Sequence, residues 1–121
     1  MIFGNYEMTN SAANNMERLF RLDGRIALVT GASSGLGRHF SNVLADSGAS
    51  VALAARRLDR LRELASEINN RGGHAVSFEL DVSEPQTISQ TFDQVEEKLG
   101  TVDLLVNNAG IAIAEPAIQV E

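Results

Sequence analysis

IALVTGASSGLG, residues 26–37, is the stretch that decides the fold. Its first four residues form a short apolar run, which suits a strand that is buried on both faces. Glycines follow at positions 31, 35 and 37, and apolar residues at helical spacing begin directly after them. Glycine permits a positive φ in a tight turn and lets the backbone approach a ligand, and the unpaired N–H groups at a helix N-terminus favour an anion. The stretch therefore predicts a strand, a phosphate-binding turn and a helix, although a tight turn with no ligand would also use glycine.

The rest of the chain alternates apolar runs with helical stripes. Further strands are predicted at residues 51–55, 75–80 and 102–106. Apolar residues at helical spacing predict three helices, with stripes at Leu36, Phe40, Val43 and Leu44, at Leu61, Leu64, Ala65 and Ile68, and at Ile88, Phe92, Val95 and Leu99. Short connections between alternating strands and helices imply a parallel sheet with helices on both faces, which is an α/β fold.

Local signals mark where the predicted helices begin and end. Gly48, the glycine pair at 72–73 and Gly100 follow the three stripes and are typical of helix C-termini. Residues 83–86, Ser-Glu-Pro-Gln, fit a capping box at the start of the third helix, with Pro85 in its first turn. Residues 1–22 are polar without sustained periodicity, so they predict a loose arm, with a short helix at 16–21 as one option, ahead of a domain at 23–121.

Composition excludes several classes of protein. The 121 residues allow one small domain, and a net charge of −6 offers no basic surface for nucleic acid. The absence of cysteine excludes disulfides and thiolate metal sites. No apolar run reaches the roughly 18 residues of a membrane helix, and the N-terminus lacks the pattern of an export signal. We therefore expect a cytoplasmic protein with neither nucleic acid nor membrane as a partner.

A basic pair, Arg56 and Arg57, follows the second predicted strand. It stands about 20 residues after the glycine loop, where dinucleotide-binding folds place the residue that separates a ribose hydroxyl from a 2′-phosphate. A guanidinium can bind phosphate through two charge-assisted hydrogen bonds. Arg56 is the candidate, with Arg57 in support, although both could belong with Arg60 and Arg62 to a solvated helix start. The pair weakens a methyltransferase interpretation, which would need an acidic residue there, and no Gly-Lys-Ser/Thr follows the loop as in NTPases.

Three motifs in this order resemble those of the short-chain dehydrogenase/reductase family, in its compact branch. They are Thr30-Gly31-x-x-x-Gly35-x-Gly37, Asp81-Val82 after the third strand, and Asn107-Asn108-Ala109-Gly110 after the fourth. The resemblance covers about residues 20–113. It implies a Rossmann-like, doubly wound parallel sheet, here truncated after the fourth strand. It also implies an NADP-dependent oxidoreductase that interconverts carbonyls and alcohols by hydride transfer.

The resemblance assigns a role to each motif. The loop that would hold the pyrophosphate and ribose consists of Gly31, Ser33, Ser34, Gly35, Leu36 and Gly37. Arg56 would contact the 2′-phosphate, so NADP(H) is expected in preference to NAD(H), although many NADP-preferring members carry a basic residue in place of Ser34. Asp81 and Val82 would flank the adenine, with Asp81 accepting from its amino group. The path toward the nicotinamide would be lined by Asn108, Ala109 and Gly110.

Simpler interpretations of two motifs stay open. Asp81 could only cap a turn before Ser83, and residues 107–108 could form an Asx turn that ends the strand. In the family, Asn107 would tie the central strands together.

The catalytic groups of the family are missing from this chain. The family protonates the alkoxide from a tyrosine that a lysine four residues later acidifies, with help from a serine. Here the only tyrosine is Tyr6, four places before Asn10, and the only lysine is Lys98. We therefore expect no catalytic residue and no metal site in this chain, and no activity from the chain alone. The complete protein would take a small carbonyl or alcohol substrate and form a homo-oligomer.

The last predicted strand and the class of the protein complete the interpretation of the sequence. Residues 104–106 would form an edge strand with unpaired N–H and C=O groups, which predicts marginal stability or self-association. The alternatives to an oxidoreductase are a non-catalytic dinucleotide-binding module and a scaffold that binds no nucleotide.

Overall fold

The computed structural model of the protein describes residues 2–3, 6–7, 21–33 and 35–108. Near the N-terminus, strand β1 (Ile2–Phe3) pairs antiparallel with strand β2 (Tyr6–Glu7). This pair of strands was not predicted for the polar arm. The short helix considered at 16–21 lies, apart from Arg21, outside the described residues.

A four-stranded parallel sheet forms the centre of the domain. The elements that follow the arm are β3 (Ile26–Thr30), α1 (Gly35–Asp46), β4 (Ser50–Ala55), α2 (Leu58–Asn70), β5 (His74–Glu79), α3 (Pro85–Lys98) and β6 (Leu104–Asn107). The strand order is β5-β4-β3-β6, and every pair in this sheet is parallel. The predicted α/β fold is therefore confirmed. Because the strands are parallel, the segments that follow β3, β4, β5 and β6 all lie at one end of the sheet.

Hydrophobic cores lie on both faces of the sheet. On the α1 and α2 face, Val29 and Leu53 pack with Leu61, Leu64 and Ile68. On the opposite face, Leu28 and Phe78 pack with Val95 of α3. Helices on both faces were predicted from the alternation of strands and helices, and the two cores confirm this arrangement. Among the helices that the structure describes, none is long and apolar enough to cross a membrane.

The first helix buries a face that its apolar stripe only partly predicts. Leu36 and Val43 are 57% and 47% exposed. The buried residues of α1 are the small ones Gly37, Ser41 and Ala45. Small side chains let the helix approach the sheet closely, and the hydroxyl of Ser41 is satisfied by the carbonyl of Gly37 at 2.8 Å. Leu44 of the apolar stripe also packs against the core on the α1 and α2 face, so hydrophobicity alone identified the helix and only part of its contact face.

The third helix begins without the predicted capping box. Its N-cap is Glu84, which makes no side-chain capping hydrogen bond, and Pro85 opens the helix as expected. Ser83 instead donates its hydroxyl to Asp81 Oδ1 at 2.6 Å. The capping prediction was wrong because the N-cap position falls one residue later, at Glu84, and the Ser83 side chain is bonded to the carboxylate two residues before it.

The end of the arm is fastened to the turn after α1. The N–H of Leu22 donates to the carbonyl of Ser47 at 2.7 Å. Gly48 adopts φ +104°, and a Cβ there would collide with the carboxylate of Asp23 and lie 2.7 Å from Nη2 of Arg21. Gly48 thus ends the helix as predicted and also leaves room for the chain that enters β3.

The two edges of the sheet differ in how they are covered. On β5, the side-chain amide of Asn69 pairs with both the N–H and the carbonyl of Ala75, at 2.9 and 3.1 Å. Thr91 of α3 donates to the carbonyl of Glu79 at 3.2 Å. On β6, Leu104 and Leu105 are 38% and 49% exposed. The expected edge position of residues 104–106 is confirmed for the sheet as described, and self-association stays a prediction.

Candidate functional site

The turn between β3 and α1 depends on its three glycines. Gly31 and Gly35 have φ of +65° and +56°, a region that residues with a side chain rarely adopt. Gly37 is needed for another reason: a Cβ there would collide with the carbonyl oxygen of Gly31 and lie 2.8 Å from Nδ2 of Asn108. Ser33 is half-buried and Leu36 is exposed beside the turn. Ser34, also assigned to this loop by the sequence analysis, lies outside the described residues.

The N-terminus of α1 favours a negatively charged ligand. The helix begins at Gly35, and its first turn contains no acidic residue. The first N–H groups of a helix have no partner within it, and together with the helix dipole they attract anions. The local backbone can therefore accept a phosphate group without having to displace a carboxylate.

Thr30 joins the glycine turn to the end of β6. Its buried hydroxyl donates to Asn107 Oδ1 at 2.9 Å and accepts from the N–H of Asn108 at 2.9 Å. Asn107 therefore ties β3 to β6, as the resemblance implied, and Asn108 lies against the turn at Gly37. Ala109 and Gly110, predicted to continue this wall, lie outside the described residues.

Of the two arginines after β4, one forms an ion pair among the described residues and the other does not. Both are exposed. The Nε of Arg57 lies 3.5 Å from Oδ1 of Asp59, and its hydrogen bond is the main cause that holds the pKa of that carboxyl below its usual range. Among the residues that the structure describes, Arg56 forms no ion pair. Arg56 is thus the guanidinium that is available to a ligand, while the charge of Arg57 is already partly compensated.

Asp81, in the segment between β5 and α3, is held by its own loop. Its Oδ1 accepts from the hydroxyl of Ser83 at 2.6 Å and from the N–H of Ser83 at 3.0 Å. The Ser83 hydroxyl, then the Ser83 N–H, and then the charge of Arg56 lower the pKa of Asp81 below its ordinary value. The turn-capping interpretation of Asp81 is therefore observed. It is compatible with a ligand contact, because neither of these bonds uses Oδ2.

Topology brings the predicted groups together. The glycine turn, Arg56, Asp81 and Asn108 follow β3, β4, β5 and β6 respectively, so all four lie at the carboxyl end of the sheet. In open parallel sheets, ligands bind in the crevice at this end. Val82, predicted to flank an adenine, is half-buried and packs against the α3-face core.

The lysine and the tyrosine that were excluded as a catalytic pair lie away from the glycine turn or outside the four-stranded sheet. Lys98 is exposed at the end of α3, which is the opposite end of the sheet, since α3 runs back from the carboxyl end of β5 to the start of β6. Tyr6 belongs to β2, which is not part of the four-stranded sheet. The described residues therefore do not bring this lysine to the site.

Sequence reasoning missed the roles of two hydroxyl groups. Thr30 was quoted only as part of a motif, and Ser83 was assigned to a helix cap. The signal for Ser83 was present, since Asp-x-Ser allows a carboxylate to bond to the residue two positions on. For Thr30 there was no local signal, because its partners are 77 and 78 positions away in the sequence.

Known proteins of one family match the chain. A sequence model described as short chain dehydrogenase matches residues 25–121. The chain is 47% identical over 98 residues to a short chain dehydrogenase of Pseudocercospora fijiensis, covering 81% of this chain and 32% of that protein. An uncharacterized oxidoreductase of Caenorhabditis elegans is 50% identical over 90 residues, covering 73% of this chain and 29% of that protein. The chain thus spans about a third of the length of these relatives.

Solved structures with this fold hold different coenzymes. A metagenomic short-chain oxidoreductase in complex with NADP matches with a TM-score of 0.71 and 41% identity, covering 74% of this chain and 41% of that chain. A candidate D-mannonate oxidoreductase from Haemophilus influenza with bound NAD matches with a TM-score of 0.69 and 30% identity, covering 75% of this chain and 32% of that chain. Both nicotinamide coenzymes therefore occur among proteins that share this architecture.

Proposed function

The chain belongs to the short-chain dehydrogenase family, and from that premise we propose that it is the coenzyme-binding part of an NADP-dependent oxidoreductase. The observation that carries the proposal is the set of groups at the carboxyl end of the sheet. It combines a glycine turn, a helix N-terminus without acidic residues and an arginine without an ion pair among the described residues. Bound there, the coenzyme supplies a nicotinamide that exchanges hydride with a carbonyl or alcohol.

The residues present fit a dinucleotide. The N–H groups of the glycine turn, at Gly31, Gly35 and Gly37, would bind the pyrophosphate, because unpaired N–H groups at a helix N-terminus favour an anion. The lack of a side chain at Gly37 lets the helix approach the carbonyl of Gly31. Asp81 would accept a hydrogen bond from the adenine amino group, beside Val82. Asn108 would line the ribose wall, and the proposal extends to Ser33, Ser34, Leu36, Ala109 and Gly110 by position in the motif.

Arg56 supports NADP(H) in preference to NAD(H). An exposed guanidinium without an ion pair in the described part of the chain can offer two donors to a 2′-phosphate, where a carboxylate would repel it. Arg57 would add positive charge while remaining paired with Asp59. NAD(H) would be the second, weaker coenzyme, since its ribose hydroxyl offers no phosphate charge to the guanidinium.

The proposal for the complete protein goes further than the coenzyme. We assign residues 23–121 to the coenzyme-binding segment and residues 1–22 to an arm. The full-length protein would reduce or form a small carbonyl compound as a cytoplasmic homo-oligomer. The 121 residues alone would be inactive, because Tyr6 and Lys98 do not have the spacing of a catalytic pair.

Calorimetric titration of the natural full-length protein with NADPH and NADH tests the proposal. We expect Arg56→Ala to weaken NADPH about tenfold or more and to leave NADH nearly unchanged, because only the charge-assisted phosphate bonds are lost. Arg62→Ala, which removes another exposed arginine from the same helix region, is the matched control. Equal losses for both coenzymes would contradict a 2′-phosphate contact, and no binding of either would contradict the proposed function.

A second candidate is a dinucleotide-binding module without chemistry. The observation that favours it is that the lone lysine lies at the opposite end of the sheet from the glycine turn. Coenzyme reduction by the full-length protein in the presence of a panel of alcohols separates the two candidates. Tight NADPH binding together with no turnover on any alcohol or carbonyl would favour the module.

A further inference from the structure

The hydroxyl of Ser83 is committed to one oxygen of Asp81. It donates to Oδ1 at 2.6 Å, and the Ser83 N–H donates to the same oxygen at 3.0 Å. Neither bond caps α3, whose N-cap residue is Glu84. Two donors from one residue hold a carboxylate in a single orientation, which an exposed aspartate would otherwise leave to side-chain rotation.

The backbone of Asp81 is held separately from its carboxylate. Its carbonyl accepts from the N–H of Glu84 at 3.0 Å and from the hydroxyl of Thr87 at 2.8 Å. Removal of the Ser83 hydroxyl would therefore leave the backbone of residue 81 in place. Only the Asp81 carboxylate would gain rotational freedom. The functions of the Ser83 and Thr87 hydroxyl groups can therefore be tested one at a time.

We propose that Ser83 is a positioning residue for base recognition, which holds the Asp81 carboxylate so that Oδ2 meets the exocyclic amino group of the adenine. This inference rests on the proposed function, because it requires the coenzyme to place its base at Asp81. The lowered pKa of Asp81 has the same origin as the positioning, since the hydroxyl and the N–H of Ser83 both donate to the ionised carboxylate. The specificity that follows is for a base with an amino group over one with a carbonyl oxygen at the same position.

The test compares NADPH with its hypoxanthine analogue, in which that amino group is replaced by a carbonyl oxygen. In the full-length protein we expect the adenine form to bind about tenfold or more tightly, as for a hydrogen bond to a charged group. Ser83→Ala should lower this ratio about threefold or more, because the carboxylate must then be ordered on binding. Ser83→Thr, which keeps a hydroxyl, should restore the ratio.

Controls separate positioning from loss of structure. Ser89→Ala removes an exposed hydroxyl from α3 that forms no hydrogen bond among the described residues and should change neither the ratio nor the melting temperature. Thr87→Ala should lower the melting temperature but keep the ratio, since the Thr87 hydroxyl bonds to the backbone carbonyls of Asp81 and Glu84, at 2.8 and 2.7 Å, and not to the Asp81 carboxylate. An equal fall of the ratio in Thr87→Ala and Ser83→Ala would overturn the proposal, because loop stability would then explain both.

Asp81→Asn distinguishes failure of this inference from failure of the proposed function. If Asp81→Asn abolishes the preference for adenine while Ser83→Ala keeps it, positioning by Ser83 is wrong and the coenzyme site stands. If Asp81→Asn also keeps the preference, the base does not lie at Asp81, and both the inference and that part of the proposed site are overturned.

Discussion

Arginine and aspartate occur at both ends of the parallel sheet, but in different states. At the amino end, Arg71 lies 3.0 Å from Asp46, and Arg21 lies 2.7 Å from Asp23. These pairs line a cavity of about 370 Å³ together with three glycines. At the carboxyl end, Arg56 has no ion pair among the described residues, and Asp81 is held by serine rather than by arginine.

The difference separates structural charge from charge that can serve a ligand. A paired, exposed arginine contributes little stability and would have to leave its carboxylate to bind an anion. An arginine that forms no ion pair among the described residues, at the same end of the sheet as a helix N-terminus that also attracts anions, has no ion pair to break. The cavity at the amino end is therefore a weaker candidate site than the crevice at the carboxyl end, because the arginines that line it are already paired with aspartates.

The largest expected effect comes from adding a side chain at Gly37, where the helix packs tightly against the glycine turn. In Gly37→Ala, the new Cβ would collide with the carbonyl of Gly31, which is backbone and cannot rotate away. We expect a loss of about 2–3 kcal/mol in the free energy of unfolding, as for other overpacked sites, and loss of coenzyme binding. Chemical denaturation and calorimetry measure the two effects. Val43→Ala, at an exposed position on the same helix, is the control, and unchanged NADPH affinity in Gly37→Ala would show that the turn is not the pyrophosphate site.

The next effect comes from the link between β3 and β6. Thr30→Val would keep the shape of the side chain but leave the N–H of Asn108 and the amide of Asn107 without their hydroxyl partner. We expect a loss of about 1–3 kcal/mol in stability, the cost of unpaired polar groups, with weaker NADPH binding because Asn108 would move from the turn. Thr30→Ser should recover both properties. A Thr30→Val protein as stable as wild type would argue that water replaces the hydroxyl.

A smaller effect is expected at the amino end. Arg71→Ala would remove the bonds to Asp46 and Asn42, at 3.0 Å each, between exposed groups. We expect a loss below about 1 kcal/mol in stability, typical of surface ion pairs, and no change in NADPH affinity. Arg56→Ala should have the opposite effect, weakening NADPH binding without lowering the melting temperature. Together the two variants test whether stability and NADPH affinity depend on different ends of the sheet. A loss of coenzyme affinity in Arg71→Ala would remove the distinction between the two ends.

The smallest effect concerns the pH dependence of stability. Hydrogen bonds from Ser83 lower the pKa of Asp81 in the folded protein. Its stabilising contribution is therefore fully present above the ordinary aspartate pKa of about 4, and is lost as the pH falls through the lower folded value. The difference in unfolding free energy between wild type and Asp81→Asn should shrink on acidification in this range. A difference that stays constant on acidification would mean that the Ser83 bonds do not favour the charged form.

Much of the fold could be predicted because strand and helix patterns are local. Apolar runs and helical stripes located β3 to β6 and α1 to α3, and glycines marked their ends. The start of β6 differed most, at Leu104 instead of residue 102. There the carboxylate of Asp103 accepts from the N–H of Ile26 at 2.9 Å, so a side chain replaces the first backbone partner of the ladder.

Parts of the candidate site could not be predicted in the same way. The loop glycines and Arg56 follow from residue type and position, since a positive φ and a guanidinium have few substitutes. The role of Thr30 depends on partners from another strand. The role of Ser83 depends on whether its hydroxyl donates to Asp81 or accepts from an N–H of the helix. Part of the contact face of α1 was missed because Gly37, Ser41 and Ala45 carry no hydrophobic signal.

The amino-acid sequence by itself determined the order of strands and helices, the glycine turn and the family, because periodicity and turn chemistry act over a few neighbouring residues. Only the tertiary structure decided which arginines are paired, which face of α1 is buried and where Asn108 lies. Those properties depend on groups such as Arg71 and Asp46, which are 25 positions apart and meet only when the sheet and its helices assemble.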